Sequence, residues 1–493
     1  MIELLAATSC ASIPRMDSVI QKFSQQGRLT WLKANESSLQ TVMPKAPMVS
    51  KIGDLQVGNR VIVLVMPPED EVADIGEYEN VLWVTERLSA SSSNRKKPVI
   101  IDSFSQLESL STLPDYPGIH RLLQCSNWTA EDFRSAILNR YSEALDALRD
   151  HRRAAVFGAQ RLGEEVSGSL ISSGITPEVF IDNNASKHGA NINGIPILPL
   201  SALPDNNLPI VIATTRFTSS ITRQLKAGGF RHILPYSVMS LVDGERYPEE
   251  IPYVGIQQDF ADHRAKYLSL FLTLSDEKSR RVLDGLVSYR LDYDSSLADA
   301  VADEYTRQYF DEELIEFNGA DVFVDLGGYD GDTAENFIKY SGGAAYKKIY
   351  VFEPDENLVR RATERLQGCK AIEFIPAGAY SSDGELRFAA SGRTNGAISE
   401  SGELVIPVRR IDSVVVEAPT LIKMDIEGAE TEALRGADSL LRATPRPKLA
   451  IAAYHYAPDL WKLVDVVREI NPDYRFYLRH YSETGLESVI YAI

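Results

Sequence analysis

Two groups of residues in the last third of the chain have the types and spacing that chemistry requires. The run VFVDLGGYDGDTAENFIKY (322–340) reads as a β-branched and aromatic strand ending in Asp325. A loop with Gly327, Gly328 and Gly331 follows, and a helix opens at Asp332 or Thr333. Absent Cβ atoms let a backbone turn sharply and come close to a ligand, while the new helix offers N–H groups with no partner of their own. A nucleotide-like ligand fits such a turn, although glycine loops are as often purely structural. The next strand, in KKIYVFEPDENL, ends at Glu353 and Pro354. A doubly wound sheet puts a carboxylate there against the ribose diol of a ligand lying over the loop.

The second group follows two later strands. LIKMDIEGAE is an apolar strand, 421–424, that delivers Asp425 and Glu427 just past its end, with Gly428 allowing a close turn into a helix. LAIAAYHY (449–456) delivers His455 to the same rim. Ligands of open parallel sheets bind outside the carboxyl ends of the strands, so these side chains face a reacting group. Asp425 and His455, with Glu427 close behind, suit substrate positioning or proton handling. Their ordinary alternatives are a helix N-cap for either carboxylate and a hydrogen-bonded structural role for the histidine. Lys423 is placed to be a charge partner of Asp425, and Arg479, His480 and Tyr481 lie in a final hairpin, as solvated edge residues or as further reach into the site.

The charge of the glycine loop selects among ligands. It lacks the Lys-Ser/Thr of a phosphate-binding loop, and Asp325, Asp330 and Asp332 line it, which repels a pyrophosphate and suits a cation. S-adenosylmethionine carries a sulfonium and an ammonium and no phosphate, and so fits better than NAD or ATP. Methyl transfer from it is an in-line displacement, in which the protein mainly aligns the partners and a base helps a hydroxyl of high pKa.

The elements that position these residues belong to an α/β chain of several domains. At 493 residues the length exceeds one core, and 44% hydrophobic with 24% charged residues is ordinary globular composition. A net charge of −18 argues against wide contact with nucleic-acid phosphates. Three scattered cysteines, with no metal-type spacing, predict a reducing compartment and no structural metal. The short apolar run at the N-terminus carries Glu3 and no basic start, and no stretch approaches the ~18 apolar residues of a membrane span, so a cytoplasmic location is expected.

Residues 1–150 read as an α/β region of unknown role. Its strands are 61–68, 80–86 and 98–102, its serine-rich loop is 89–97, and an amphipathic helix over 128–153 is capped by Thr129 without a full capping box. Residues 151–240 alternate strand and helix patterns, 260–318 have helical spacing and no strand signal, and 319–493 return to alternation.

From about Tyr309 onward the chain resembles the FkbM family of S-adenosylmethionine-dependent methyltransferases. The likeness runs through QYF, FVDLGGYDGDT, VFEPDENL, PAGAYSSDGEL, RRIDSV, LIKMDIEGAE, YHYAPDLW and YLRHYS. The resemblance implies a class I methyltransferase fold, with a seven-stranded, mostly parallel sheet whose last strand is antiparallel, and O-methylation of a saccharide or other small-molecule acceptor. It also implies a cofactor site of Asp325, Gly327, Tyr329, Asp330, Glu353 and Pro354, with the adenine edge near Gly378 and Ala379. The middle block, through VFGAQRLG, VFIDNN and NGIPIL, is similar to the small Rossmann-like domain preceding the acyltransferase part of sugar-modifying enzymes. That likeness implies a nucleotide-sugar held at Gly158, Gly163 and Asp182. Two rival readings are a non-catalytic scaffold that binds cofactor or a nucleotide-sugar, and an NAD-linked dehydrogenase or epimerase using the upstream glycine loop. Hydride transfer needs a Tyr-x-x-x-Lys or similar pair after a fourth strand, and none follows IVIATT.

Overall fold

The computed structural model describes residues 113–493 apart from 126, 204, 249–253, 344–345 and 389–403, and, of the first 112 residues, the backbone of six strands. These are β1 (Ile2–Ala6), β2 (Leu29–Leu32), β3 (Met48–Val49), β4 (Val61–Met66), β5 (Val81–Thr85) and β6 (Val99–Ile101). They form one parallel sheet in the order β3-β2-β1-β4-β5-β6. The three predicted strands are β4 to β6, and the opening apolar run is β1; the serine-rich stretch 89–97 lies outside the described residues.

After α1 (Pro117–Gln124), the expected single helix over 128–153 is two, α2 (Ala130–Arg140) and α3 (Ser142–His151), broken at Tyr141. Thr129 makes a complete capping box after all. Its Oγ1 accepts the Asp132 N–H at 3.2 Å, and the Asp132 carboxylate accepts the Thr129 N–H at 2.8 Å. Aspartate thus does what Glu or Gln usually does at that position.

The middle sheet comprises β7 (Arg153–Phe157), β8 (Thr176–Ile181), β9 (Asn191–Ile192), β10 (Ile195–Leu198), β11 (Ile210–Ile212) and β12 (Ile233–Pro235). Its order is β12-β11-β7-β8-β10-β9, with only β9 antiparallel to its neighbour. Helices α4 (Arg161–Ser172), α5 (Thr218–Ala227) and α6 (Tyr236–Val242) connect and flank it. Gly163 is required by packing: a Cβ there would stand 1.8 Å from the Gly158 carbonyl oxygen.

Two long helices follow, α7 (Ile256–Thr273) and α8 (Glu277–Asp292), as the helical spacing of that stretch predicts. They brace the C-terminal sheet. Buried Arg290 donates to the Ala457 carbonyl at 2.9 Å, and buried Arg479 pairs with Asp276 at 2.8 Å and Asp311 at 3.2 Å. Arg479, His480 and Tyr481 are therefore neither solvated edge residues nor part of the site. His480 bonds Ser488 at 2.9 Å, and Tyr481 bonds Tyr491 at 2.7 Å, inside the protein.

The C-terminal unit has β13 (Val322–Leu326), β14 (Lys348–Phe352), β15 (Ile372–Ile375), β16 (Gly378–Ala379), β17 (Gly384–Phe388), β18 (Leu404–Arg409), β19 (Leu421–Met424), β20 (Lys448–Ala452), β21 (Phe476–His480) and β22 (Ser488–Ala492). Seven of them form one sheet, β15-β14-β13-β19-β20-β22-β21, parallel except for β22, which is antiparallel to both neighbours. Strands β16, β18 and β17 make a small side sheet. Helices α9 (Asp332–Tyr340), α10 (Glu356–Arg365), α11 (Glu430–Gly436) and α12 (Asp459–Ile470) supply the connections used below.

Both faces of this sheet are covered, which is why its strands read as continuous apolar runs. Val322, Val324 and Leu326 enter one buried cluster while Phe323 enters the other, following the alternation of a strand. Chain order reverses between β13 and β19, so the crevice outside their carboxyl ends is the switch point where open α/β sheets hold ligands. Among the described residues no helix is long and apolar enough to cross a membrane.

Candidate active site

The glycine turn after β13 is held from below. Asp325 and Lys423 are register partners on β13 and β19, both buried, with Nζ 3.0 Å from the carboxylate. Lys423 also donates to the carbonyls of Leu326 at 3.2 Å and Gly327 at 2.6 Å. Burial pushes Asp325 up to about 6, with Lys423 opposing the rise. Gly327 has φ +78°, and a Cβ would stand 1.9 Å from the Asp425 carbonyl oxygen, so the turn and the β19 loop interlock through backbone. The turn's glycine is thus explained by backbone packing, and Asp325 lies beneath the loop rather than lining it. Lys423 contacts Asp325 directly and also acts on Asp425 as the charge partner the sequence suggested.

Glu353 stands at the end of β14, facing the turn. Its two oxygens accept the Tyr329 N–H at 3.0 Å and the Asp355 N–H at 2.9 Å. These bonds fix the carboxylate, which has about four lone-pair positions, so acceptor capacity remains for a diol. Tyr329, at φ +46°, projects a ring that is 55% exposed. Asp330 turns the other way: its carboxylate bonds Arg361 at 2.7 Å and Arg365 at 2.9 Å on one face of α10. It ties α10 to the turn and is not a lining group. Pro354 is partly exposed beside Glu353, while Gly378 and Ala379 pair with Val408 and Arg409 in the side sheet, Ala379 buried and Gly378 partly open.

The other predicted residues do come together. Asp425 Oδ1 lies 3.3 Å from His455 Nε2, and Glu427 Oε2 lies 3.7 Å from the same nitrogen. On the far side of the ring Glu430 Oε1 is 3.1 Å from Nδ1. Against the effect of burial, Glu430 and Asp425 hold the imidazole well above its ordinary pKa. Burial opposes ionisation of Asp425, but His455, Lys423 and Tyr309 hold it well below the usual carboxylate range. Burial pushes Glu427 up. Its backbone takes φ +56°, uncommon for a residue with a side chain, and Gly428 beside it lies against the Tyr456 ring, where a Cβ would stand 2.2 Å from a ring atom.

Several site residues escaped the sequence. The Tyr309 hydroxyl donates to Asp425 Oδ2 at 2.9 Å, and Tyr454 donates to the same carboxylate at 3.3 Å. Glu430, buried on α11, accepts the Ile426 N–H at 2.9 Å and so shapes the loop carrying Asp425 and Glu427. Tyr309, Tyr454 and Glu430 sit within the motifs QYF, YHYAPDLW and LIKMDIEGAE, but Tyr309 lies before the sheet begins and no strand or helix pattern ties it to Asp425.

In the middle sheet Asp182 closes over the loop after β7. It accepts the Ala159 N–H at 3.0 Å, Lys187 Nζ at 2.7 Å and the Asn184 N–H at 2.8 Å. A cavity of about 470 Å³ lies beside it, lined by Asn183, His188, Asn206, Gln224 and Phe230 among others.

Residues 325–481 match the family model of the methyltransferase FkbM domain. The fold is similar to that of methyltransferase FkbM from Methylobacillus flagellatus KT, at a TM-score of 0.59 and 22% identity, over 78% of this chain and all of that one. The likeness of fold thus extends well beyond the residues that the family model matches. The chain is also 29% identical over 106 residues to the redox-sensing transcriptional repressor Rex of Brevibacillus brevis, spanning 20% of this chain and about half, 51%, of that protein.

Proposed function

We propose that the chain is an S-adenosylmethionine-dependent methyltransferase that methylates a hydroxyl of a saccharide or other small molecule, with 319–493 as the transferring unit. The observation that carries the reading is Glu353. A carboxylate oriented by two backbone N–H groups at the end of β14, beside the turn after β13, is what a ribose diol requires. Glu353 would hold the ribose, with Tyr329, Pro354 and Gly378 offering the surface around it. When bound, the cofactor supplies an electrophilic methyl on a sulfonium.

The remaining work belongs to the rim of β19 and β20. Glu427 is the most open of the three candidates there, its side chain 55% exposed against 27% for Asp425 and 4% for His455. Glu427 therefore meets the acceptor and takes its proton, while Asp425 and His455, locked to Tyr309, Tyr454 and Glu430, keep the rim in place. In the middle unit, 151–240, a nucleotide-linked sugar would lie in the cavity beside Asp182.

Titration calorimetry with S-adenosylmethionine, NAD and a nucleotide-sugar tests the reading. Saturable binding of the first, weakened at least tenfold by Glu353→Gln, supports it. Binding of only the other two refutes it and favours the dehydrogenase or scaffold alternatives.

A further inference from the structure

The loop after β11, residues 213–217, runs into α5, and the start of α5 is fixed to the C-terminal unit. The Ser220 N–H donates at 2.8 Å to Glu483, in the loop between β21 and β22, and Ser219 Oγ donates to Asp299 at 2.9 Å. Arg223 pairs with Asp299 as well. The connector that carries Asp299 is itself tied to β21, because the Asp303 N–H donates to the His480 carbonyl at 2.7 Å. Further along the loop that holds Glu483 stands Glu487, at φ +61°, whose carboxylate accepts from Gln308 Nε2 at 2.7 Å. Its charge reaches Tyr309, Tyr454 and Glu427, the side chains around Asp425. Burial pushes Glu487 and Tyr305 up, and at both the Arg216 guanidinium opposes the rise while Asp425 adds to it. Both side chains are thus within electrostatic reach of Arg216, from the middle unit, and of Asp425, from the rim of the cleft.

The surface of this junction has the character of a binding site. Among the described residues the exposed aromatic side chains are Trp128, Phe217, Tyr305, Tyr329 and Tyr456. All but Trp128 gather here: Tyr329 in the glycine turn, Tyr456 against Gly428, Tyr305 within reach of Asp425, and Phe217 next to Arg216. Ring faces left open to water around one cleft mark a place for a ligand, and flat rings suit the C–H faces of a sugar. The charge is divided across the mouth. Asp425, Glu427 and Glu487 make the inner rim acidic, whereas Arg216 is exposed and has no ion pair among the described residues. An acceptor with a negative group is turned by this field, the group toward Arg216 and a hydroxyl toward Glu427.

We propose that the junction of the two units binds an anionic sugar, with its carboxylate or phosphate on Arg216 and its ring against Tyr305 and Phe217. A guanidinium takes either anion through paired N–H donors. The middle unit then supplies one wall of the acceptor site. Binding follows from the junction alone; that the bound sugar is the methyl acceptor rests on the methyl-transfer reading above.

The test uses the full chain. Glucuronate, glucose 1-phosphate and the neutral methyl glucoside are titrated by ligand-observed NMR. At least one acid binds saturably and about tenfold or more tighter than methyl glucoside, as a charge-assisted hydrogen bond requires. Glucuronate alone identifies a carboxylate as the group held, and glucose 1-phosphate alone a phosphate. Arg216→Gln removes the advantage of the acid and Arg216→Lys recovers part of it, without a change in melting temperature because the side chain is exposed. With labelled S-adenosylmethionine, the loss in Arg216→Gln falls on KM for the acid rather than on kcat. The proposal is overturned if neither acid binds saturably, if methyl glucoside binds as tightly as the acids, or if Arg216→Gln binds them as wild type does. Calorimetry with S-adenosylmethionine separates the two ideas. Arg216-dependent binding of an acid without cofactor binding keeps the sugar site and removes the methyl-transfer reading, and cofactor binding without either acid does the reverse.

Discussion

Changing Lys423 to Met leaves the aliphatic stem and removes the only charge within contact of the Asp325 carboxylate among the described residues. The side chain is buried, 3.0 Å from Asp325, and donates to the carbonyls of Leu326 and Gly327. Methionine fills nearly the same volume, so the packing term is small. Stranding one member of a buried ion pair costs about 3–5 kcal/mol. The upper end is not reached, because Asp325, already raised by burial to about 6, rises further without Lys423 and takes up a proton near neutrality instead of standing charged. The expected loss is about 3 kcal/mol, measured as a fall in the urea midpoint of the C-terminal transition. Asp325→Asn in the same background removes the stranded acid, so the double variant should lose at least about 1 kcal/mol less than the two single losses summed. The Gly327 carbonyl is released too, so affinity for S-adenosylmethionine should fall. The reasoning is refuted if Lys423→Met costs less than about 0.5 kcal/mol, or if the two losses simply add.

Three further outcomes follow from the same geometry. Gly327→Ala puts a Cβ at 1.9 Å from the Asp425 carbonyl on a backbone of φ +78°, and should abolish S-adenosylmethionine binding by calorimetry while lowering the melting temperature. Asp330→Ala frees Arg361 and Arg365, and should lower stability by roughly 1 kcal/mol while leaving cofactor affinity within about twofold, since the carboxylate faces α10. His480 is fully buried, and burial lowers its pKa from 6.5 to about 4. The unfolded chain thus takes the proton first, and the contribution of His480 to stability should fall by about 3 kcal/mol as pH drops from 6.5 to 4. His480→Gln should flatten that slope in urea unfolding at a series of pH values.

The sequence by itself determined the sheet, the turn after Asp325, and the strand ends that carry Glu353, Asp425, Glu427 and His455. A parallel strand buried on both faces must be an apolar run, and its carboxyl end must face the ligand side, so local pattern is enough to place those residues. It also determined that a helical segment lies between the two α/β units. Which residue meets which was settled only in three dimensions. Lys423 belongs to Asp325 because β13 and β19 are neighbours in register across a long connection. Asp330 belongs to Arg361 and Arg365 because α10 turns one face of its four-residue spacing toward the loop. Tyr309 and Glu430 reach Asp425 and His455 from segments that local periodicity does not connect. Local patterning fixes each element's direction and buried side. Charge pairing depends instead on strand order and helix rotation, and these emerge when distant segments pack against one another.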